Sequence, residues 1–210
     1  MKTTALVLGL GLLTVGFFPL EAYAQIPDLS HCYATIAHEP ASIYSLPDHG
    51  GDSLDNAYAY GAQRVDATIT VVMLDMFDNP IYLYPSEDIW LVGVGGEFVF
   101  CPGGTVADHA TDENGMTTIS GPFAAGGSVH PLENGMVVLL SGQALEQPPF
   151  ALGSNSPDIN GDLVVNLSDV VLFAQNFGAV YQYRYDYNWD GVVNLTDAVF
   201  LAQGIASACP

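Results

Sequence analysis

The sequence predicts a mostly β chain in two parts, a β-sandwich over residues 25–146 and a small helical module over residues 158–210. Three observations carry that reading. Short apolar runs punctuated by Gly, Pro, Asn and Asp fill residues 25–150, and none of this stretch has an amphipathic helical period. The last third holds two copies of one twenty-residue pattern, starting 28 residues apart at Asp158 and Asp186 and identical at eleven positions. Between the two parts, residues 147–157 (QPPFALGSNSP) are rich in Pro, Ser and Gly and read as a linker.

At the N-terminus, Lys2 precedes the apolar run Ala5 to Leu20, and Ala22-Tyr23-Ala24 supplies a small-x-small site before Gln25. This is the pattern of a secretory signal peptide over residues 1–24, so a secreted, extracellular product of 186 residues (210 minus 24) is expected. The apolar run is shorter than the ~20 residues of a membrane span and no other segment qualifies, so no span is expected. Net charge is −20, and beyond residue 24 only Arg64 and Arg184 are firm cations. Such a surface repels nucleic acid and anionic membranes, so both are disfavoured as partners. Half of the residues are hydrophobic and 11% aromatic, enough for a core that a disordered acidic chain would lack.

In chain order, strands are expected at Cys32–Ala37, from Ala67 to Leu74, and at Ile81–Tyr84, Ile89–Val94, Glu97–Cys101, Met116–Ser120 and Met136–Ser141. Turn signals separate them at residues 46–52 (LPDHGGD), 78–80 (DNP), 85–88 (PSED), 102–104 (PGG) and 111–115 (TDENG). Seven short strands over ~125 residues argue a β-sandwich. The stretches VVMLDMFDNP, YPSEDIWL and TDENGMTT resemble bacterial immunoglobulin-like domains of the invasin type, in which a D-x-x-x-N-P turn and a T-D-x-N-G-x-x-T hairpin recur. The resemblance implies an immunoglobulin-like sandwich. Export makes a disulfide plausible among Cys32, Cys101 and Cys209, but the odd count leaves one thiol over and all three pairings stay open.

Each copy in the last third places Asp, Asn, Asp, Asn and Asp at loop positions 1, 3, 5, 9 and 12. These are Asp158, Asn160, Asp162, Asn166 and Asp169, then Asp186, Asn188, Asp190, Asn194 and Asp197. Ca²⁺ takes roughly six to eight oxygen ligands, and a twelve-residue loop supplies them from positions 1, 3, 5, 7, 9 and 12, with a main-chain carbonyl at position 7. Val164 and Val192 stand at position 7. All six acidic residues from Asp158 to Pro210 fall at positions 1, 5 or 12, where a generic acidic tail would scatter them. Two Ca²⁺ ions are therefore the expected cofactors. Position 6, the sharp turn of such a loop, is Gly191 in the second copy but Leu163 in the first. A non-glycine residue at positive φ costs ~1 kcal/mol, so the first site is expected to be the weaker.

After each loop the apolar residues fall at helical spacing, Val170, Phe173, Ala174 and Phe177 in one copy and Ala198, Leu201, Ala202 and Ile205 in the other. Two helices are expected, each starting at its position-12 carboxylate, Asp169 or Asp197, with the two stripes packed on each other. The arrangement over residues 158–205 resembles the type I dockerin module. It has tandem loop–helix units, no entering helix before the first loop, and Asp rather than Glu at position 12 of both loops. The resemblance implies calcium-dependent docking to an extracellular protein of the cohesin kind. Positions 10 and 11 would carry recognition: Leu167-Ser168 and Leu195-Thr196, nearly identical between copies, so that either face could take one partner in two orientations. Neither helix carries Lys or Arg. Leucines that merely cover the core, a module packed on its own sandwich, and a sandwich that binds carbohydrate or another ligand are the competing readings. The Asn166 and Asn194 N-x-S/T patterns are by-products of the calcium pattern.

No catalytic residue stands out. The five histidines form no H-E-x-x-H pair, and the chain has neither G-x-S-x-G nor a phosphate loop. A non-catalytic protein is expected.

Overall fold

Period-two alternation fixes which face of a strand is dry. At Ile69–Val72 it is regular, with Ile69 and Val71 fully buried and Thr70 and Val72 half-buried. The computed structural model of the protein describes residues 26–95 and 97–210, so the expected signal peptide lies outside the described residues. Among the described residues the chain is mostly β, with thirteen strands and, at its C-terminal end, two α-helices.

The strands are β1 (Tyr33–Ile36), β2 (Ala41–Tyr44), β3 (Ala57–Ala59), β4 (Gln63–Val65), β5 (Ile69–Val72), β6 (Ile89–Gly93), β7 (Val99–Phe100), β8 (Met116–Ile119), β9 (Ala125–Gly126), β10 (Ser128–Val129), β11 (Met136–Leu140), β12 (Gln143–Ala144) and β13 (Leu152–Asn155). The helices are α1 (Leu167–Asn176) and α2 (Leu195–Gly204). Four sheets run in the orders β1-β5-β8, β10-β13-β2-β3-β4, β12-β11-β6 and β7-β9. Among the thirteen described strands every pairing is antiparallel except β13 with β2, which is parallel with Leu152 opposite Ala41. One core joins these sheets, including Ile43, Val71, Leu91, Ile119, Val138 and Leu152.

Residues 147–157 are not a linker. Residues 152–155 form β13, a buried interior strand hydrogen-bonded between β2 and β10. Its small residues serve close packing rather than flexibility: a Cβ on Gly153 would come within 2.5 Å of both Pro131 Cδ and the Tyr183 hydroxyl. Residues 81–84 are not a strand either. They turn, with Leu83 at φ 58°, because Thr111 takes up their hydrogen bonds. The Thr111 Oγ1 donates to Ile81 O at 2.6 Å and accepts from Tyr84 N–H at 2.8 Å. The expected strand at Glu97–Cys101 shortens to two residues, Val99 and Phe100. Cys101 and Cys209 form the disulfide, with Cα atoms 5.7 Å apart, and Cys32 is a buried free thiol.

The helices start earlier than expected, at Leu167 and Leu195, with Asp169 and Asp197 in the first turn. Asn166 and Asn194 are the N-caps. Each accepts from the N–H two residues on, while the Asp returns a bond to the cap's own N–H, a reciprocal capping box. The expected stripe-on-stripe packing does not occur. Phe173 and Leu201 are buried, but Ala174, Phe177, Ala202 and Ile205 are exposed. The helices instead meet through Tyr187, the second residue of the second loop, whose ring stacks on Phe173 with centroids 6.1 Å apart and tilts against Phe200 at 6.5 Å. This second core also takes in Tyr44, Leu46 and Tyr58 from the β region.

Candidate metal centre

An aspartate followed by closely spaced backbone turns folds the chain around its own carboxylate, since each turning N–H needs an acceptor. In the first loop the Asp158 Oδ1 accepts from Gly161 N–H at 3.0 Å and Asp162 N–H at 3.1 Å, and its Oδ2 accepts from Leu163 N–H at 2.8 Å. The second loop repeats this. Asp186 accepts from Asp190 N–H at 3.1 Å and Gly191 N–H at 2.8 Å. At the far end Asp169 accepts from Ile159 N–H at 2.9 Å and Asn166 N–H at 2.9 Å, and Asp197 from Tyr187 N–H and Asn194 N–H, both at 2.8 Å. Each position-12 carboxylate thus closes the start of its loop against the start of its helix.

The other sequence-picked positions lie within the same loops. Asn160 Nδ2 donates to Asp162 at 2.9 Å and Asn188 Nδ2 to Asp190 at 3.1 Å. The carbonyls of Val164 and Val192 accept from the Asn166 and Asn194 amides at 3.2 and 3.3 Å. Positions 1, 3, 5, 7, 9 and 12 are therefore linked by hydrogen bonds within each loop. Among the described residues, no group of three or more His, Cys, Asp or Glu side chains could hold a metal ion by itself. A site here has to draw on the Asn amides and main-chain carbonyls as well.

The electrostatics are unusual for carboxylates. Asp158, Asp169, Asp186 and Asp197 are all fully buried. The ion pairs among the described residues engage Asp78, Asp52 and Glu97, none of them in a loop. Burial pushes the Asp158 and Asp197 carboxyls up to about 6 and raises that of Asp186, against the pull of the loop N–H donors. Around Asp158 the charges of Asp169 and Asp162 add to the rise.

Leu167 and Leu195 are both 74% exposed, and Ser168 and Thr196 beside them are exposed too. Below them Val171 and Val199 repeat one turn on, both exposed. An aromatic stretch from Tyr181 to Trp189, not among the expected site residues, seats the module. Tyr183 OH bonds Ser42 Oγ at 2.6 Å, Tyr44 OH donates to Phe200 O at 2.9 Å, and Asn155 Nδ2 donates to the carbonyls of Tyr183 and Asp186. The density of aromatics at 181–189 (YQYRYDYNW) was the available signal.

No protein-family model matches this chain, and no curated protein matches it. One solved structure, the Lin-41 filamin domain, aligns with 59% of this chain and 90% of its own at 16% identity, with a TM-score of 0.29. A likeness of that size carries no argument about fold or function.

Proposed function

We propose that this is a secreted, non-catalytic calcium-binding protein whose dockerin-like module, carried on an immunoglobulin-like sandwich, docks to another extracellular protein. The observation that carries the metal is the set of four fully buried loop carboxylates that no Lys, Arg or His among the described residues neutralises. Burying a carboxylate without an opposite charge costs several kcal/mol. A divalent cation held by each loop removes that cost. Carboxylate, amide and carbonyl oxygens are hard donors that suit Ca²⁺ rather than Zn²⁺. Asp158, Asn160, Asp162, Val164, Asn166 and Asp169 would hold one ion, and Asp186, Asn188, Asp190, Val192, Asn194 and Asp197 the other. When bound, the ion supplies charge and fixes the loop.

Exposure supports recognition through Leu167 and Leu195, since leucines that served only to cover the core would be buried. The exposed faces match position by position: Leu167, Ser168 and Val171 against Leu195, Thr196 and Val199. A second reading, in which the module only braces its own sandwich, is favoured by the Tyr183 and Asn155 contacts with β2 and the connector. Calorimetric titration of the 25–210 chain with Ca²⁺ tests the metal. Two ions per chain and a raised melting temperature are expected, and neither heat nor a melting shift would sink the reading. Capture of an exported protein in Ca²⁺, lost in chelator and lost in a Leu167→Asp/Leu195→Asp double variant, tests docking against bracing.

A further inference from the structure

The β region does more than carry the loops, because it touches each of them at the positions that shape a site. In the first loop Gly127 N–H donates to the Asp158 carbonyl at 2.7 Å. Next to it, Gly126 leaves the space the Asp158 carboxylate fills, and a Cβ there would run into that carboxylate. In the second loop the tip of the β3–β4 hairpin does the equivalent. The N–H groups of Gly61 and Ala62 both donate to the Trp189 carbonyl, at 2.8 and 3.3 Å. Tyr60 lies over Gly191, where a Cβ would come 2.5 Å from the Tyr60 hydroxyl. Asn155 of β13 adds a 2.9 Å bond to the Asp186 carbonyl.

We propose that the β region is the outer half of both metal sites: the Gly126-Gly127 corner positions the first loop, Tyr60–Ala62 with Asn155 positions the second, and each loop takes Ca²⁺ at full affinity only when seated there. This rests on the calcium reading above. The physical reason is that a loop must hold its oxygens in place before the ion arrives, and partners outside the ligand shell do that holding. Loss of such a partner typically lowers metal affinity about 10–100-fold. The two helices are ten residues each, too short to hold the loops rigid alone. Gly126, Gly127, Asn155 and Tyr60 are accordingly positioning residues for the metal.

The test uses the 25–210 chain and two probes. Ca²⁺ is titrated by calorimetry, and Tb³⁺ luminescence excited through tryptophan in a Trp90→Phe background, where Trp189 of the second loop is the one tryptophan left, reports that loop. Gly126→Ala is expected to weaken one of the two Ca²⁺ sites at least tenfold while the tryptophan-sensitised Tb³⁺ site stays unchanged. Tyr60→Ala, on a side chain 67% exposed, is expected to weaken the Tb³⁺-reporting site about tenfold and spare the other. Gly121→Ala, where the nearest atom to a new Cβ is 3.8 Å away, is expected to leave both sites intact. Site selectivity is the decisive readout, since a general loss of stability would weaken both sites together. If the native chain binds two ions and both variants bind them with native affinity, this inference falls and the calcium reading stands. If the native chain takes up no Ca²⁺, both fall. Should Gly126→Ala not fold, Tyr60→Ala decides alone, and equal weakening of both sites by it would overturn the proposal.

Discussion

The first loop turns on Gly161 and Leu163; the second turns on Trp189 and Gly191. These are positions 4 and 6 of the same twelve-residue frame, and all four residues have positive φ, at 71° and 67° in one loop and 52° and 90° in the other. Each loop thus spends one glycine and forces one larger residue into the left-handed region, only at opposite positions. Leu163 at position 6 therefore gives no ground for a weaker first site, since Trp189 puts an equal burden on the second. What does distinguish the loops is what they pack against. The second brings Tyr187 and Trp189 into the aromatic core, where the first has Ile159 and Gly161. The first is closed instead by the chain end: Val165 N–H donates to Ser207 O at 2.9 Å, Ala206 N–H to Val165 O at 2.9 Å, and Cys209 is tied to Cys101.

Truncating the two position-2 residues should separate the loops most. Tyr187 is fully buried between Phe173 and Phe200, and Tyr187→Ala is expected to cost about 3–5 kcal/mol, in the range of large aromatic truncations. Ile159→Ala should cost about 2–3 kcal/mol. Denaturant unfolding in Ca²⁺ measures both, and equal costs would mean that the aromatic core is not what sets the second loop apart. The disulfide probes the other side. Removing Cys101–Cys209, which closes a loop of 108 residues, should cost about 2–4 kcal/mol. The Cys101→Ser/Cys209→Ser variant should weaken the first Ca²⁺ site while leaving Trp189-sensitised Tb³⁺ binding nearly native.

The same contrast explains what could be read from sequence. The two loops were legible because Asp and Asn recur at fixed spacing, and the buried carboxylates of that pattern, from Asp158 to Asp169 and from Asp186 to Asp197, accept the N–H groups of their own loops. Strands β5, β6, β8 and β11 were legible because one face is wetter than the other. Strands β2 and β13 were not, because the helical module covers the face that would otherwise be polar. ASIY and LGSN are buried at every position and show no alternation. The glycines and serines of β13 looked like a linker because small residues mark close approach as often as flexibility, and only the partner tells which.

Acid should treat the two loops alike. Without metal, Asp158 and Asp197 titrate at about 6 in the folded chain against an ordinary 3.8, so the folded state holds these protons more tightly than the unfolded one. Their contribution is fully present below 3.8 and is lost as pH rises through about 6. In chelator the melting temperature is expected to rise as pH falls from 7 toward ~4.5. In Ca²⁺ the direction reverses, because the ion needs deprotonated ligands and protons displace it below about 6. Turn aspartates such as Asp75 and Asp112, held low by hydrogen bonds from Asn79 and Met116, favour the folded state as pH rises through a lower range and do not cancel this trend. A chelated protein that melts lower at mild acid would contradict the buried-carboxylate account, and two separated steps would show that the loops differ.

The smallest effect tests the exchange of glycines directly. Leu163→Gly relieves a positive φ worth about 1 kcal/mol but frees the unfolded chain by nearly as much, so a net gain of only ~0.5 kcal/mol is expected. Gly191→Ala has no such compensation. It places a Cβ at φ 90° and 2.5 Å from the Tyr60 hydroxyl, and should cost more than about 1 kcal/mol. The two changes are opposite in sign at the same position of the frame because the loops have put their glycines in different places. Chemical denaturation in saturating Ca²⁺ resolves them if run as a pair. A loss in both would mean that the Leu163 side chain contributes packing that outweighs its strain, and that position 6 is not equivalent in the two loops after all.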